Sequence, residues 1–398
     1  MAAIVIAISS CALRDSFPDD LHRPRAELDR CARGAAGETV CLEARLNCPP
    51  GAPACEPAID DPVGQLRDLA EDGRPLSFRA GAMSSVSRAN HFQSVQRLPG
   101  AGPARFVVTR ETARREETDI GIVESTGPRG GERVARAFDT GTAHTHAGGT
   151  QLVGRLLVVP LERGGGGSAV HLYELTPTSA PRLVAAIDHR GARGERLPEA
   201  GAAGMVAMAD GHYLLVVGTR HSRRLDFYRS GAGDLASAGW RHLDRWDPGE
   251  LETAIGDRRF GAYQSLHLLA GSDGALYLLG SHRQFFHSDW LDLHQLAIRR
   301  GSDGRLAVRL VKVGKKHLQC GGGAADRCNL DAGTGVFIDG DGRLRVYAIG
   351  YAAARVAFRP PSAQAAVHMV EFVSRGIAGS RAERDTGSAR RPGTSPHR

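Results

Sequence analysis

The chain has 398 residues, 41% of them hydrophobic and 24% charged, with a formal net charge of +7 from 51 basic and 44 acidic residues. Its 50 glycines are well above the average share of about 7%, which argues against a mostly helical protein and for many tight turns. No apolar run approaches the ~18 residues that cross a membrane as a helix. Six arginines lie in 375–398 against only Glu383 and Asp385, so the rest of the chain carries no electrostatic footprint for nucleic acid.

The first element in chain order is an apolar stretch, Ala2 to Ile8, ending Ile8-Ser9-Ser10-Cys11. Small residues after an apolar run mark a secretory cleavage site. These four residues resemble the lipobox of bacterial lipoproteins. That resemblance implies lipidation of Cys11, attachment to the membrane by a lipid anchor alone, and an extracytoplasmic place on the outer membrane or cell surface. The basic n-region of that pattern is missing.

Residues 12–79 read as a cysteine-rich linker or cap, with one short helix over Gln65–Glu71 that turns Leu66, Leu69 and Ala70 to one side. With Cys11 set aside, six cysteines remain: Cys31, Cys41, Cys48, Cys55, Cys320 and Cys328. An even number in an oxidising compartment suits disulfides. The absence of any C-x2-C pair disfavours a zinc site. Cys320 and Cys328 are expected to close a local loop.

From residue 80 to 374 the text becomes repetitive. Each unit has a small or polar first strand, a tight turn, an apolar second strand and an alternating third strand. Gly100, Gly154, Gly211, Gly274 and Gly342 mark the first turn, roughly 55–70 residues apart. Asp-Gly fills that turn in the last three units, a hairpin signal read here as type I′. Sheets of three or four strands bury both faces only when stacked around an axis. Gly148-Gly149, Ala203-Gly204 and Ala332-Gly333-Thr334-Gly335 would be the narrow inner edges.

This pattern resembles a β-propeller with five blades, without the repeating signature of any named propeller family. The fold class expected is therefore all-β, a five-bladed propeller behind a disulfide-stapled N-terminal segment, with a disordered basic tail over 375–398. A sixth blade within 40–85 or 231–262, and two packed sandwiches, are the competing readings.

The resemblance implies a ligand site at the axial funnel, where first strands begin. The side chains there are His91, Gln93, His144, His146, Glu199, Tyr263, Gln264, Asn329 and Asp331. His144 and His146 fall on one face of a strand and would suit a divalent transition metal such as Zn2+. Glu199 and Asp331 would form the acid pair of a carboxylate-based hydrolase. His91, Gln93, Tyr263, Gln264 and Asn329 would contact a ligand. The main reading is a monomeric recognition module that binds a small molecule, glycan or protein at this funnel. The alternative is a metal- or carboxylate-dependent hydrolase of a glycan or phosphoester. The nearness in sequence of Ser281-His282 and His287-Ser288-Asp289 is no evidence for a triad, because such triads assemble from distant positions. Residues 281–290 read instead as an insertion in the fourth unit.

Overall fold

The structure is a computed structural model. It describes residues 44–46, 57–83 and 92–375, with breaks at 101–102, 112–117, 126–130, 141–145, 163–165, 177–178, 220, 232–233, 285–287, 301–304, 321–326 and 351–365. The signal-like segment, Cys11, Cys31, Cys41, Cys48, Cys55 and the tail beyond 375 lie outside the described residues. Cys320 and Cys328 form a disulfide. Among the described residues no helix is long and apolar enough to cross a membrane.

The chain folds as a five-bladed β-propeller. Blade 1 comprises Phe92–Leu98, Arg105–Glu111, Thr118–Ser125 and Glu132–Asp139. Blade 2 has an inner strand in two pieces, His146–Ala147 and Gln151–Val153, then Leu156–Glu162, Ser168–Glu174 and Arg182–Asp188. Blade 3 is Ala202–Met208, Tyr213–Thr219, Arg224–Ser230 and Trp240–Trp246. Blade 4 is Ser265–Ala270, Leu276–Gln284, Ser288–Arg300 and Leu306–Leu318. Blade 5 takes Thr334–Ile338, Leu344–Ile349 and Ala366–Val373, and closes with Arg74–Arg79 as its outer strand, where Phe78 pairs with Val367. The N-terminal side of the chain thus completes the last blade and shuts the ring.

The ring follows from where the apolar side chains go. Side chains of a strand alternate between its two faces, and the second strands are apolar on both. In blade 3, Leu214 and Val216 pack toward blade 4, while Leu215 and Val217 pack toward blade 2. The other gaps are filled the same way: blades 4 and 5, 5 and 1, and 1 and 2 each enclose their own buried cluster. The clusters meet blade to blade with no end, which two stacked sandwiches would not produce.

At the axis the inner strands touch through backbone and short polar side chains. A Cβ on Gly335 would overlap the carbonyl of Val95 in blade 1, and one on Gly149 would overlap the carbonyl of Gln264 in blade 4. Gln151 crosses to blades 3 and 4: its Oε1 accepts from Met205 N at 2.9 Å and Leu268 N at 3.0 Å, and its Nε2 donates to Leu268 O at 2.9 Å. Gln96 Nε2 donates to Thr150 O at 2.7 Å and Thr334 O at 3.1 Å. Because the obstacle at Gly335 is backbone, it cannot swing aside. Gly335→Ala is expected to destabilise the fold by about 2–3 kcal/mol, an overpacking cost that a urea midpoint would measure.

Three local expectations are corrected. In the Asp-Gly turns only glycine has positive φ: Gly211 (81°), Gly274 (85°) and Gly342 (76°). The glycine N–H of each donates three residues back, to Met208, Gly271 and Asp339. These are type I turns followed by a left-handed glycine, not type I′. The short helix spans Pro62–Arg67 and not Gln65–Glu71. Asp61 caps it by accepting from Gly64 N at 3.0 Å, and Pro62 sets its first turn. Residues 281–290 are no insertion: Ser281–Gln284 and Ser288–Leu291 extend the second and third strands of blade 4 as one paired ladder.

Candidate functional site

Antiparallel pairing brings the start of every inner strand and the end of every second strand to one face of the ring. Glu162 ends the second strand of blade 2 there. Its partners across the ladder are His146 and Ser168, so the three share one side of the blade. That side meets blade 3. The backbone N–H of Ala200 donates to the Glu162 carboxylate, and Glu199 is the residue just before it. A Cβ on Gly201 would lie 4.0 Å from Glu162 Oε1.

Two half-buried carboxyl groups, Glu162 and Glu199, are therefore neighbours at this face. Burial lifts the Glu162 pKa above the usual carboxylate range, and the negative charge of Glu199 adds to that. His146, the Ala200 N–H and His221 pull partly the other way. His221 is exposed and sits in the hairpin after the second strand of blade 3. It and Ser222 are consecutive non-glycine residues in the left-handed region, at φ 57° and 51°. Backbone strain of this kind persists only where the surroundings hold it, and it concentrates at functional sites.

Asp331 belongs to a second group, between blades 4 and 5. Its Oδ1 accepts from Arg283 N at 3.1 Å, and Asn329 Oδ1 accepts from Asp331 N at 2.8 Å. The Arg283 guanidinium is clamped on Asp289 at 3.0 and 2.8 Å. Burial raises the Asp331 pKa, against the pull of the Arg283 N–H and guanidinium, and Asp289 raises it further. The charges that act most on Asp331 are those of Arg283, Asp289 and His282, whereas Glu199 acts on Glu162. The sequence pair Glu199 and Asp331 is thus divided between two groups, and Glu199 gains Glu162 as its near partner.

The remaining sequence candidates fall as follows. His146 stands beside Glu162. Gln93 is buried, and its carbonyl packs against Gly333. The Tyr263 ring lies in the core between blades 3 and 4, where its hydroxyl donates to Asp292 at 2.7 Å and meets His294 Nε2 at 2.8 Å. Gln264 donates its backbone N–H to Ser281 O at 2.9 Å. His91 and His144 lie outside the described residues. Among the described residues no three His, Cys, Asp or Glu side chains converge as a metal ligand set. Sequence reading missed Glu162, His221 and Arg283. The available signal for Glu162 was an acid ending the apolar run Leu156–Leu161, at the end of a second strand, as Glu111 ends the second strand of blade 1.

No protein-family model matches the chain, and no curated protein matches it. Among solved structures it is similar to a GH43_1 enzyme from Xanthomonas citri complexed with xylose, at 9% identity and TM-score 0.38, over 78% of this chain and 91% of that one. A mannose phosphorylase from Leishmania mexicana in complex with phosphate is similar at 13% identity and TM-score 0.38, over 76% and 87%. A GH43 β1,3-galactosidase with galactodeoxynojirimycin is similar at 11% identity and TM-score 0.38, over 73% and 92%.

Proposed function

We propose that the chain is a carboxylate-dependent glycoside hydrolase, with Glu162 as general acid and Glu199 as the base or nucleophile. The observation behind this reading is the pair itself: two carboxyl groups on adjacent blades, one lifted in pKa by burial and by the other's charge. Glycoside cleavage needs one carboxyl protonated and one ionised at the same pH. A phosphoester would bring negative charge onto two acids, so a neutral glycan suits the site better. Asp331, fixed by Arg283 and Asn329, takes a binding role at the other side of the funnel. We place the protein outside the cytoplasm, lipid-anchored through Cys11. The Cys320–Cys328 disulfide supports an oxidising compartment. A recognition module without turnover has less behind it, since binding alone gives no reason to lift the pKa of one acid beside another.

A panel of neutral oligosaccharides and aryl glycosides tests the reading. Wild-type protein is expected to hydrolyse at least one. Glu199→Gln should lower its kcat roughly 10²–10⁴-fold whatever the leaving group. Binding without release of reducing sugar, in wild type and variant alike, would return the protein to the recognition class.

A further inference from the structure

The loop that carries Glu199 is tied down by groups that hydrolysis does not use. Residues 190–196 fold back on themselves, with Gly191 N donating to Glu195 O at 2.9 Å. Just beyond, Leu197 N donates to His189 O at 2.9 Å, and Leu197 O accepts from Ser168 Oγ at 2.9 Å. Ser168 Oγ also lies 2.9 Å from His189 Nδ1. His189 Nε2 faces Asp226 Oδ2 of blade 3 across 3.6 Å. Asp226 Oδ1 accepts from His242 Nε2 at 2.9 Å and Arg245 Nε at 2.8 Å. The Tyr228 ring packs edge-on against both histidines, and its hydroxyl donates to Arg190 O at 2.7 Å.

Serine, histidine and aspartate in one chain of contacts suggest a nucleophilic triad. The geometry argues otherwise. Ser168 is 7% exposed, His189 1% and Asp226 0%, and the Ser168 hydroxyl spends its proton on Leu197 O. What the chain does hold is Leu197, two residues before Glu199, and Ser168 is itself the ladder partner of Glu162.

We infer that the Ser168–His189–Asp226 chain is a positioning device for the Glu162–Glu199 pair: it locks the loop end at Leu197 to blades 2 and 3, and so fixes Glu199 and the Ala200 N–H against Glu162. The inference rests on the hydrolase reading for its function, and on the contacts above for its geometry. Ser168→Ala removes the bond to Leu197. His189→Asn keeps a polar partner for Ser168 but gives up Asp226. Either change lets water reach Glu162 and lets Glu199 withdraw. Both effects lower the Glu162 pKa and together outweigh loss of the Ala200 N–H, whose pull is weaker than that of burial or of Glu199, with His146 and His221 still facing it.

The test is carbodiimide coupling of Glu162 to glycine methyl ester across pH, read by peptide mass spectrometry, with exposed Asp273 as internal reference. Thermal melts check that each variant is folded, and His189→Asn serves if Ser168→Ala does not fold. The Glu162 midpoint is expected to fall by about half to one pH unit. The kcat on a cleaved glycoside is expected to fall about 10- to 100-fold with KM nearly unchanged. An unchanged midpoint in a folded variant overturns the inference, whatever kcat does. A shifted midpoint in a protein whose wild type cleaves no glycoside sustains the positioning role and removes the hydrolase assignment.

Discussion

Glu162→Gln is expected to slow hydrolysis of an unactivated glycoside roughly 10²–10⁴-fold, and to slow hydrolysis of a dinitrophenyl glycoside far less. The reason is the leaving group. An alkoxide needs a proton as the glycosidic bond breaks, and the amide of glutamine has none to give. A dinitrophenolate leaves without one, so the acid is dispensable. The amide still accepts from the Ala200 N–H and fills the same space opposite His146 and Ser168, so the variant should fold and bind. The pH profile gives a second reading of the same role. Activity should fall on the alkaline side as Glu162 loses its proton, at a pH lifted by burial and by Glu199, and that limb should vanish with the activated substrate. Equal losses on both substrates would strip Glu162 of the acid role.

Much of this architecture is legible in the text because the inner three strands of each blade have distinct duties. Inner strands must be narrow, so Gly149 and Gly335 stand where only backbone fits. Second strands face two cores, so Tyr213–Val217 reads as an unbroken apolar run, and the strand Tyr213–Thr219 is buried throughout. The outer strands have no such signature. Arg182–Asp188 is largely open to solvent, and Trp240–Trp246 mixes charged and bulky residues without a period on a half-exposed edge. Arg74–Arg79 is more opaque still, since its partner Ala366–Val373 lies at the other end of the chain and no local pattern announces a pairing that distant.

The site was legible by half for the same kind of reason. Glu199 and His146 were found by asking what stands where inner strands begin. Glu162 was not, because it stands where a second strand ends, and only the antiparallel hairpin brings that end to the same face. Tyr263 was drawn toward the funnel by its place in the sequence. It turns instead into the blade 3–blade 4 gap, where Asp292 and His294 satisfy a hydroxyl that would otherwise be buried alone. The Ser168–His189–Asp226 chain spans two blades and could not be assembled from neighbours in sequence.

Stability should fall steeply below about pH 6.5, well before carboxylates titrate. Two fully buried histidines cause this. His267 stands on the inner strand of blade 4, 1% exposed, and neither ring nitrogen has a hydrogen-bond partner among the described residues. Burial holds its pKa down at about 3. His294, 0% exposed, is held at about 3 by burial as well, with Asp292 opposing and Lys312 and His282 adding to the depression. Its hydrogen bonding agrees with a neutral ring: the Tyr263 hydroxyl donates to Asp292, so His294 Nε2–H must donate to the Tyr263 oxygen, and Nδ1 stays bare. In an unfolded chain both rings bind protons below about pH 6.5. Between that pH and 3 the unfolded state therefore holds two more protons than the native one, and stability drops as pH falls. At pH 4.5 the two sites together should remove about 5 kcal/mol relative to pH 7.5. The raised carboxyls of Glu132, Glu162 and Asp331 work in the opposite sense but are only partly buried. Asp226, Asp257 and Asp292, held well below the carboxylate range despite their burial by hydrogen bonds and ion pairs, add their loss only below about pH 4. Urea midpoints taken from pH 7.5 to 4.5 measure the slope, and His267→Leu should remove about half of it. A flat profile over that window, or a slope untouched by the substitution, would mean that these rings accept protons in the folded protein.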